Sequence, residues 1–261
     1  MQVLLLTDFS PNAKIMQDYA LNFFGNKNVH FIMMHALRPC EISKCSGLCS
    51  KKREADLEVN YQNLKKRLKS GQTLSKIFIN NNLVDAVRNY IEKSHIDMIL
   101  MGGKGKTSNV NKQFGKNTYD IVTKIRCPIL VVFENSVVKI PGKIVFPLDY
   151  TISVKKNYFD FVSQLNFWKH IDLSILEVPN KMFNSVLSQK INKQKITKTF
   201  KEIDYHFTTL KPFDKIGFCD NCKNADMIMF MAKNLNISNR IFSELGKNKL
   251  NPQTPLLVLH G

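Results

Sequence analysis

The chain has 261 residues, which at about 150 residues per domain fits one large domain or two modest ones. Apolar residues make up 44% and charged residues 23%, a composition that can bury a core and excludes a disordered chain. The net charge of +17 is spread over both halves, which excludes a basic tail as its source. No apolar stretch approaches the roughly 20 residues of a membrane helix, and the start lacks a basic leader segment. We therefore expect a cytoplasmic protein with no membrane association and with reduced thiols.

Short apolar runs alternate with segments of helical period along the first half of the chain. The runs that predict buried strands are 2–7, 28–34, 73–79, 97–101 and 129–133. The predicted helices run from the cap at Ser10-Pro11 to the stop at Gly25, and over 51–70, 82–94 and 116–125. Strands that are apolar on both faces, alternating with helices, predict a parallel sheet covered on both sides.

The second half repeats the first. The run that ends at Asp8 recurs before Asp149, residues 96–101 recur at 225–230, and residues 127–132 recur at 254–259. Strands are predicted at 144–149, 171–178, 203–209, 226–230 and 256–260, with helices at 151–167 and 181–201 and a short or irregular one around 213–224. The fold class is therefore α/β, with two doubly wound units over 1–136 and 141–261. Each unit is expected to be an open five-stranded, mostly parallel sheet with helices on both faces.

The most informative segment follows the strand at 97–101. Gly102 and Gly105 open a loop, and Gly115 precedes a predicted helix that begins Lys116-Asn117-Thr118. Glycines let a backbone approach a ligand closely, and a helix N-terminus offers free amides to phosphate. Ligands of doubly wound sheets bind beyond the carboxyl ends of the strands, where Asp8 also lies and could accept a hydrogen bond from an adenine amine or a ribose hydroxyl.

These features resemble the universal stress protein family, and the resemblance covers nearly the whole chain as a tandem pair. Nucleotide-binding members carry Gly-x2-Gly-x9-Gly followed by Ser or Thr, and Gly102, Gly105 and Gly115 match that spacing. The resemblance implies an adenine nucleotide alpha hydrolase-like fold that binds ATP or a related adenine nucleotide, with Mg²⁺ as a companion of the phosphates. It assigns the nucleoside contact to Asp8, and an adenine contact through the backbone to Ala36.

The departure from the family pattern is Lys116, which replaces the Ser or Thr that follows the last glycine. Lysine removes that hydroxyl but can supply a charge-assisted contact to phosphate. Thr118 matches a second hydroxyl position of the pattern, and Asn117 lies between the two. The alternative is that the glycines only shape the loop and that the site is an empty relic.

The second copy has lost most of the motif. Met231-Ala232-Lys233-Asn234 supplies no glycine, and only Gly246 echoes Gly115. We expect this copy to bind no nucleotide and Asp149 to be structural. The resemblance implies that the two units pair through their last strands, 129–133 and 256–260, and that a homodimer can form.

The cysteines raise a competing hypothesis. Cys40, Cys45 and Cys49 cluster after the second strand, and Cys219 and Cys222 form a C-x2-C pair, but neither spacing matches a common metal site. The alternatives are a metal or thiol sensor, or reduced thiols in surface loops. His30 and His35 are interpreted as core histidines.

No nucleic-acid module is visible, and the basic residues of 51–70 are interpreted as a solvated helix face. The predicted function is a stress-response regulator that binds an adenine nucleotide in its first domain. It is expected not to be an enzyme beyond slow ATP hydrolysis. The competing interpretations are a nucleotide-free interaction scaffold and the thiol or metal sensor.

Overall fold

In a computed structural model, the chain is described over residues 1–38, 47–105, 114–153, 159, 162–180, 186–200, 203–212, 214–247, 249–251 and 253–260. It divides into two units, Met1–Glu134 and Asn135–Gly261. Among the described residues, no helix combines the length and the apolar character that crossing a membrane requires.

The first unit alternates strands and helices from its first residues to its last. Its elements are β1 (Gln2–Leu6), α1 (Pro11–Phe24), β2 (Val29–Leu37), α2 (Leu48–Lys65), β3 (Gln72–Asn80), α3 (Leu83–Lys93), β4 (Met98–Gly102), α4 (Lys116–Lys124) and β5 (Ile129–Val132). The strands pair in the order β3-β2-β1-β4-β5, and every pair is parallel. Residues Val3–Leu6 of the central strand are at most 5% exposed, which shows that both faces of the sheet are covered.

The helix ends of the first unit follow local capping rules. Ser10 caps α1 by accepting a hydrogen bond from the backbone N–H of Ala13, and Pro11 occupies the first helical position. Asn82 caps α3 in the same way through the N–H of Asp85. These caps place the start of each helix directly beyond the carboxyl end of the preceding strand.

The second unit has the same strand order. Its elements are β6 (Lys143–Leu148), a 3-10 helix (Asn166–His170), β7 (Asp172–Glu177), α5 (Val186–Thr199), β8 (Tyr205–Thr209), α6 (Lys215–Lys223), β9 (Met227–Met231), α7 (Leu235–Gly246) and β10 (Leu256–Leu259). The strands pair in the order β10-β9-β6-β7-β8, again all parallel. The doubly wound α/β fold class is therefore confirmed in both units.

Two helices of the second unit differ from expectation. Seven of the 17 residues of the predicted helix 151–167 lie outside the described residues; of the others, 159, 162 and 163 are helical, and the last two begin a 3-10 helix. The helix α7 was not anticipated, and Gly246 is its last residue rather than the residue before a helix. The alignment of Gly246 with Gly115 is therefore wrong.

Candidate functional site

The candidate site lies where the sheet of the first unit reverses its winding direction. β1 is hydrogen-bonded to β2 on one side and to β4 on the other, so the chain turns to opposite sides after β1 and after β4. Open sheets of this kind bind ligands in the crevice beyond the carboxyl ends of such strands. A cavity of about 90 Å³ that opens to solvent occupies that position.

Most of the residues predicted from sequence meet at this cavity. Its walls include Asp8, Ala36, Gly102, Gly105, Asn117 and Thr118. Gly115 and Lys116 do not line it: Gly115 is the N-cap residue of α4, and Lys116 is the first residue of that helix and is exposed. The segment between Gly105 and Phe114, at 106–113, lies outside the described residues.

The turn from β1 to α1 presents Asp8 at the cavity. Phe9 has a φ of +61°, in the left-handed region that non-glycine residues rarely adopt. The backbone N–H of Ser10 donates to Asp8 Oδ1 at 3.1 Å, and the N–H of Phe9 donates to Thr7 Oγ1 at 3.2 Å. The sharp turn lets Asp8 line the cavity while Ser10 is buried as the helix cap.

The loop after β4 requires glycine because its backbone is closely packed. A Cβ atom on Gly102 would lie 2.8 Å from Asn12 Nδ2, and one on Gly103 would lie 2.4 Å from Phe133 Cδ1. The N–H of Gly103 donates to Val132 O and the N–H of Gly115 donates to Gly103 O, each at 2.8 Å. The two ends of the loop are therefore joined, and the N-terminus of α4 is held beside the end of β4.

Thr118 strengthens this junction. Its side chain is 2% exposed, and its hydroxyl donates to Gly102 O at 3.0 Å. The hydroxyl therefore holds the loop through a backbone carbonyl. Asn117, one residue earlier in α4, is exposed and lines the cavity.

Sequence reasoning did not anticipate Asn12 as part of this site. Asn12 is 3% exposed in the first turn of α1, and its Nδ2 donates to Lys104 O at 3.2 Å. Its Oδ1 has no hydrogen-bond partner among the described residues. The side chain fills the space beside Gly102 and fastens the loop to α1. Asparagine after Ser-Pro at a helix start is an ordinary surface residue by pattern, so only the packing reveals this role.

Several further residues line the cavity without having been predicted there. They are Leu6, Thr7, Ala13, His35, Leu83, Met101 and Lys104. Most of them are neighbours of predicted residues on the same strand ends. Those neighbours could have been identified from the sequence because they lie at or directly after the predicted carboxyl ends of β1, β2 and β4, where such sheets bind ligands.

The two histidines of β2 differ from each other. His30 pairs with Thr73 Oγ1 at 2.8 Å and with Ser75 Oγ at 2.9 Å, both on β3, so its role is structural as expected. His35 is 7% exposed, as a core histidine would be, but it also lines the cavity.

In the second unit, the corresponding carboxylate is occupied by the protein's own side chains. Asp149 is 3% exposed and accepts hydrogen bonds from the N–H and hydroxyl of Thr151 and from the side-chain amides of Asn180, Asn234 and Asn236, at 2.7 to 3.1 Å. Burial alone would raise the pKa of Asp149, but these hydrogen bonds hold it below its ordinary value. The carboxylate is therefore structural, as predicted.

The connection after β9 explains why those amides reach Asp149. β9 ends at Met231 and α7 begins at Leu235, whereas in the first unit β4 ends at Gly102 and α4 begins only at Lys116. Asn234 caps α7 through the N–H of Ile237. The short connection brings the start of α7 onto the carboxylate and leaves no long glycine loop.

A second polar cluster joins the other strand ends of this unit. Glu177, at the end of β7, accepts hydrogen bonds from the Tyr150 hydroxyl, the Thr209 hydroxyl and the Lys193 ammonium. Burial alone would raise the pKa of Glu177, but these partners hold it below its ordinary value. The carboxyl edge of the second sheet is thus bridged by the unit's own polar groups.

The thiols give no support to a metal centre. Within the described ranges, no group of three or more His, Cys, Asp or Glu side chains could hold a metal ion. Cys219 and Cys222 are buried on α6 rather than in a surface loop, and burial raises the pKa of Cys222 to about 12. Cys49 is half-buried in α2, while the other two members of its cluster, Cys40 and Cys45, lie outside the described residues.

The fold and the site together define a class of protein: a doubly wound α/β protein with a solvent-open cavity at the switch point of its first unit. The pattern of the Universal stress protein family matches residues 1–132, and the chain belongs to that family. A comparison with curated protein sequences finds no match.

Solved structures share this architecture. The universal stress protein from Archaeoglobus fulgidus DSM 4304 is 17% identical over 98% of this chain and 97% of that chain, with a TM-score of 0.68. The functionally unknown protein PA1789 from Pseudomonas aeruginosa PAO1 is 11% identical over 99% and 92%, with a TM-score of 0.56. The hypothetical protein MJ0577 is 25% identical over 51% of this chain and 94% of that chain, with a TM-score of 0.46. The first two show that the fold extends over the length of this chain.

Proposed function

We propose that the first unit binds ATP or a related adenine nucleotide and that the protein acts as a nucleotide-responsive regulator in a stress response. The observation that supports this most is the convergence of Asp8, Ala36 and the Gly102–Gly105 loop on a single cavity at the switch point. The sequence motif identifies the same residues independently of the fold.

The groups that line the cavity suit the two parts of a nucleotide. The carboxylate of Asp8 lies after β1 and accepts hydrogen bonds, as an adenine amine or a ribose hydroxyl requires. After β4 come Lys104, the glycine backbone and the N-terminus of α4, which favour phosphate. Mg²⁺ is proposed to accompany the phosphates, because it keeps several waters and binds largely through substrate oxygens in nucleotide sites.

Lys116 is proposed to add charge at the phosphate end without replacing the missing hydroxyl. It is the first residue of α4, and that helix has no acidic residue in its first turn. An exposed lysine contributes at most about 1 kcal/mol and does so in a salt-dependent way. We therefore expect Lys116 to tune affinity rather than to determine it.

The second unit is proposed to bind no nucleotide. The amides of Asn180, Asn234 and Asn236 already saturate Asp149, and the loop that would face phosphate is reduced to three residues between β9 and α7. The expected stoichiometry is one nucleotide per chain.

Calorimetric titration of the full chain tests this function. We expect one molecule of ATP bound per chain with Mg²⁺ present, and a loss of about tenfold or more in Asp8→Ala, because a hydrogen bond to a charged group is worth about 1.5 kcal/mol or more. Asp220→Ala is the matched control, since it removes one carboxylate that is 58% exposed on α6.

The controls separate a specific site from general attraction to a basic protein. Inorganic triphosphate should bind weakly and lose its affinity in high salt, whereas ATP binding should persist. An absence of ATP binding at millimolar concentration would contradict the proposal and favour the interaction scaffold. Equal losses in both aspartate variants would show that the effect is one of net charge alone.

A further inference from the structure

His35 has one ring nitrogen that the fold satisfies and one that it does not. Nδ1 lies 2.7 Å from Thr7 O, and because a carbonyl only accepts, Nδ1 must carry the proton of that hydrogen bond. Nε2 is buried and has no hydrogen-bond partner among the described residues. A buried polar atom without a partner costs about 1–3 kcal/mol, so an unmade bond at this position calls for an explanation.

The surroundings of His35 fix the chemical character of Nε2. Phe9 and Phe78 pack against the ring, with centroids 4.4 and 5.8 Å away, and the side chain is 7% exposed. Burial lowers the pKa of His35, and the hydrogen bond to the Thr7 carbonyl, which would raise it, does not outweigh that effect. The ring is therefore neutral at physiological pH. With the proton on Nδ1, Nε2 is a hydrogen-bond acceptor.

The position of the ring connects His35 to the site. His35, Ala36 and Asp8 all line the cavity. The His35 ring and the Asp8 carboxylate both accept hydrogen bonds, whereas the phosphate-favouring groups come after β4. A ligand that satisfies these two acceptors must bring hydrogen-bond donors, which phosphate and a purine 6-oxo group lack.

We propose that His35 is a specificity-determining residue that accepts a hydrogen bond at Nε2 from a donor group of the nucleoside. This inference rests on the proposed nucleotide binding and adds the selection of the ligand. Two sources supply the same chemistry, namely the 6-amino group of adenine and a ribose hydroxyl. A nucleotide that lacks the relevant donor leaves Nε2 unpaired and binds more weakly.

Calorimetry on the full chain with three probes tests the inference. ATP is compared with inosine triphosphate, which replaces the 6-amino group by oxygen, and with 2′-deoxyATP, which lacks one hydroxyl. In wild-type protein, loss of the relevant donor should weaken binding about 2- to 12-fold, the equivalent of one net hydrogen bond. In His35→Phe, the ratio between the dissociation constant of the nucleotide that lacks the donor and that of ATP should fall toward one. His30→Phe is the control, because His30 lies on the same strand and bonds only to β3 side chains.

A measurement on unaltered protein keeps the test independent of folding. The Nε2 resonance of ¹⁵N-labelled His35 should shift when ATP is added, while the resonances of His30 stay in place. An unshifted Nε2 resonance together with unchanged selectivity in His35→Phe would overturn this inference and leave nucleotide binding intact. An absence of ATP binding to wild-type protein would overturn both.

Discussion

Substitution of Asn234 by alanine should destabilise the second unit more than alanine at Asn180 or Asn236, the other two asparagines that donate to Asp149. Asn234 is 3% exposed, and its Nδ2 donates to Asp149 Oδ1 at 2.7 Å while its Oδ1 caps α7. A hydrogen bond to a buried charge contributes about 1.5–3 kcal/mol, and an N-cap about 1 kcal/mol. The free energy of unfolding of the second unit is therefore expected to fall by about 2.5–4 kcal/mol at pH 7. Asn236→Ala is the matched control, because it removes only an exposed amide from the same carboxylate and should cost about 1.5 kcal/mol or less.

The assay uses the single tryptophan of the chain. Trp168 is 6% exposed in the second unit, near Phe200 at a centroid distance of 6.0 Å, so its fluorescence reports the unfolding of that unit. A loss of about 3 kcal/mol should lower the urea midpoint by about 1 M or more.

The pH dependence of this loss checks its electrostatic origin. Because the pKa of Asp149 is lowered in the folded protein, the charged hydrogen bonds contribute fully above the unfolded pKa of about 3.9 and are lost as the pH falls toward the folded value. The difference between wild type and Asn234→Ala should therefore shrink on acidification toward the value of the cap alone. A loss no larger than that of Asn236→Ala, or one that does not shrink at any point as the pH is lowered, would refute the reasoning.

Two further predictions concern the loop and the thiols. In Gly102→Ala, the new Cβ should displace Asn12 and weaken ATP binding several-fold in calorimetric titration. Gly246→Ala is the control and should leave ATP binding unchanged, because nothing lies within 4 Å of its Cβ. Equal effects of the two substitutions would contradict the role of the loop. In native protein, Cys49 should react with a maleimide well before Cys222, whose burial raises its pKa to about 12, and peptide mapping that finds Cys222 labelled first would contradict its burial.

The strands were largely predictable because both faces of each sheet are covered. Short continuous apolar runs such as Val3–Leu6 are typical of strands buried on both faces, and most predicted strand ends fall within two residues of the observed ones. The β2 strand extends three residues beyond its predicted end, because His35 and Ala36 stay paired with β3. Pairing between distant segments is not visible in local hydrophobicity.

The candidate site was predictable in its backbone and less so in its side chains. Gly102 was identified by its spacing to Gly105 and Gly115, and Asp8 by its place directly after an apolar run; both line the cavity. Asn12 and His35 were missed because their roles depend on contacts across α1, β1 and β4. The prediction for Gly246 was wrong because a glycine can precede a helix or end one, whereas Asn234, a preferred N-cap residue, marks the true start of α7.

The left-handed turn after the first strand of each unit has a consequence for the engineering of this chain. Tyr150 has a φ of +57°, close to the +61° of Phe9, although only the first unit has a long loop after its fourth strand. Such a conformation costs about 1–3 kcal/mol, yet both copies retain it. The turn therefore does not depend on the long loop after the fourth strand. Replacing residues 232–234 by residues 103–115 would test whether the turn of the second unit can also support that loop.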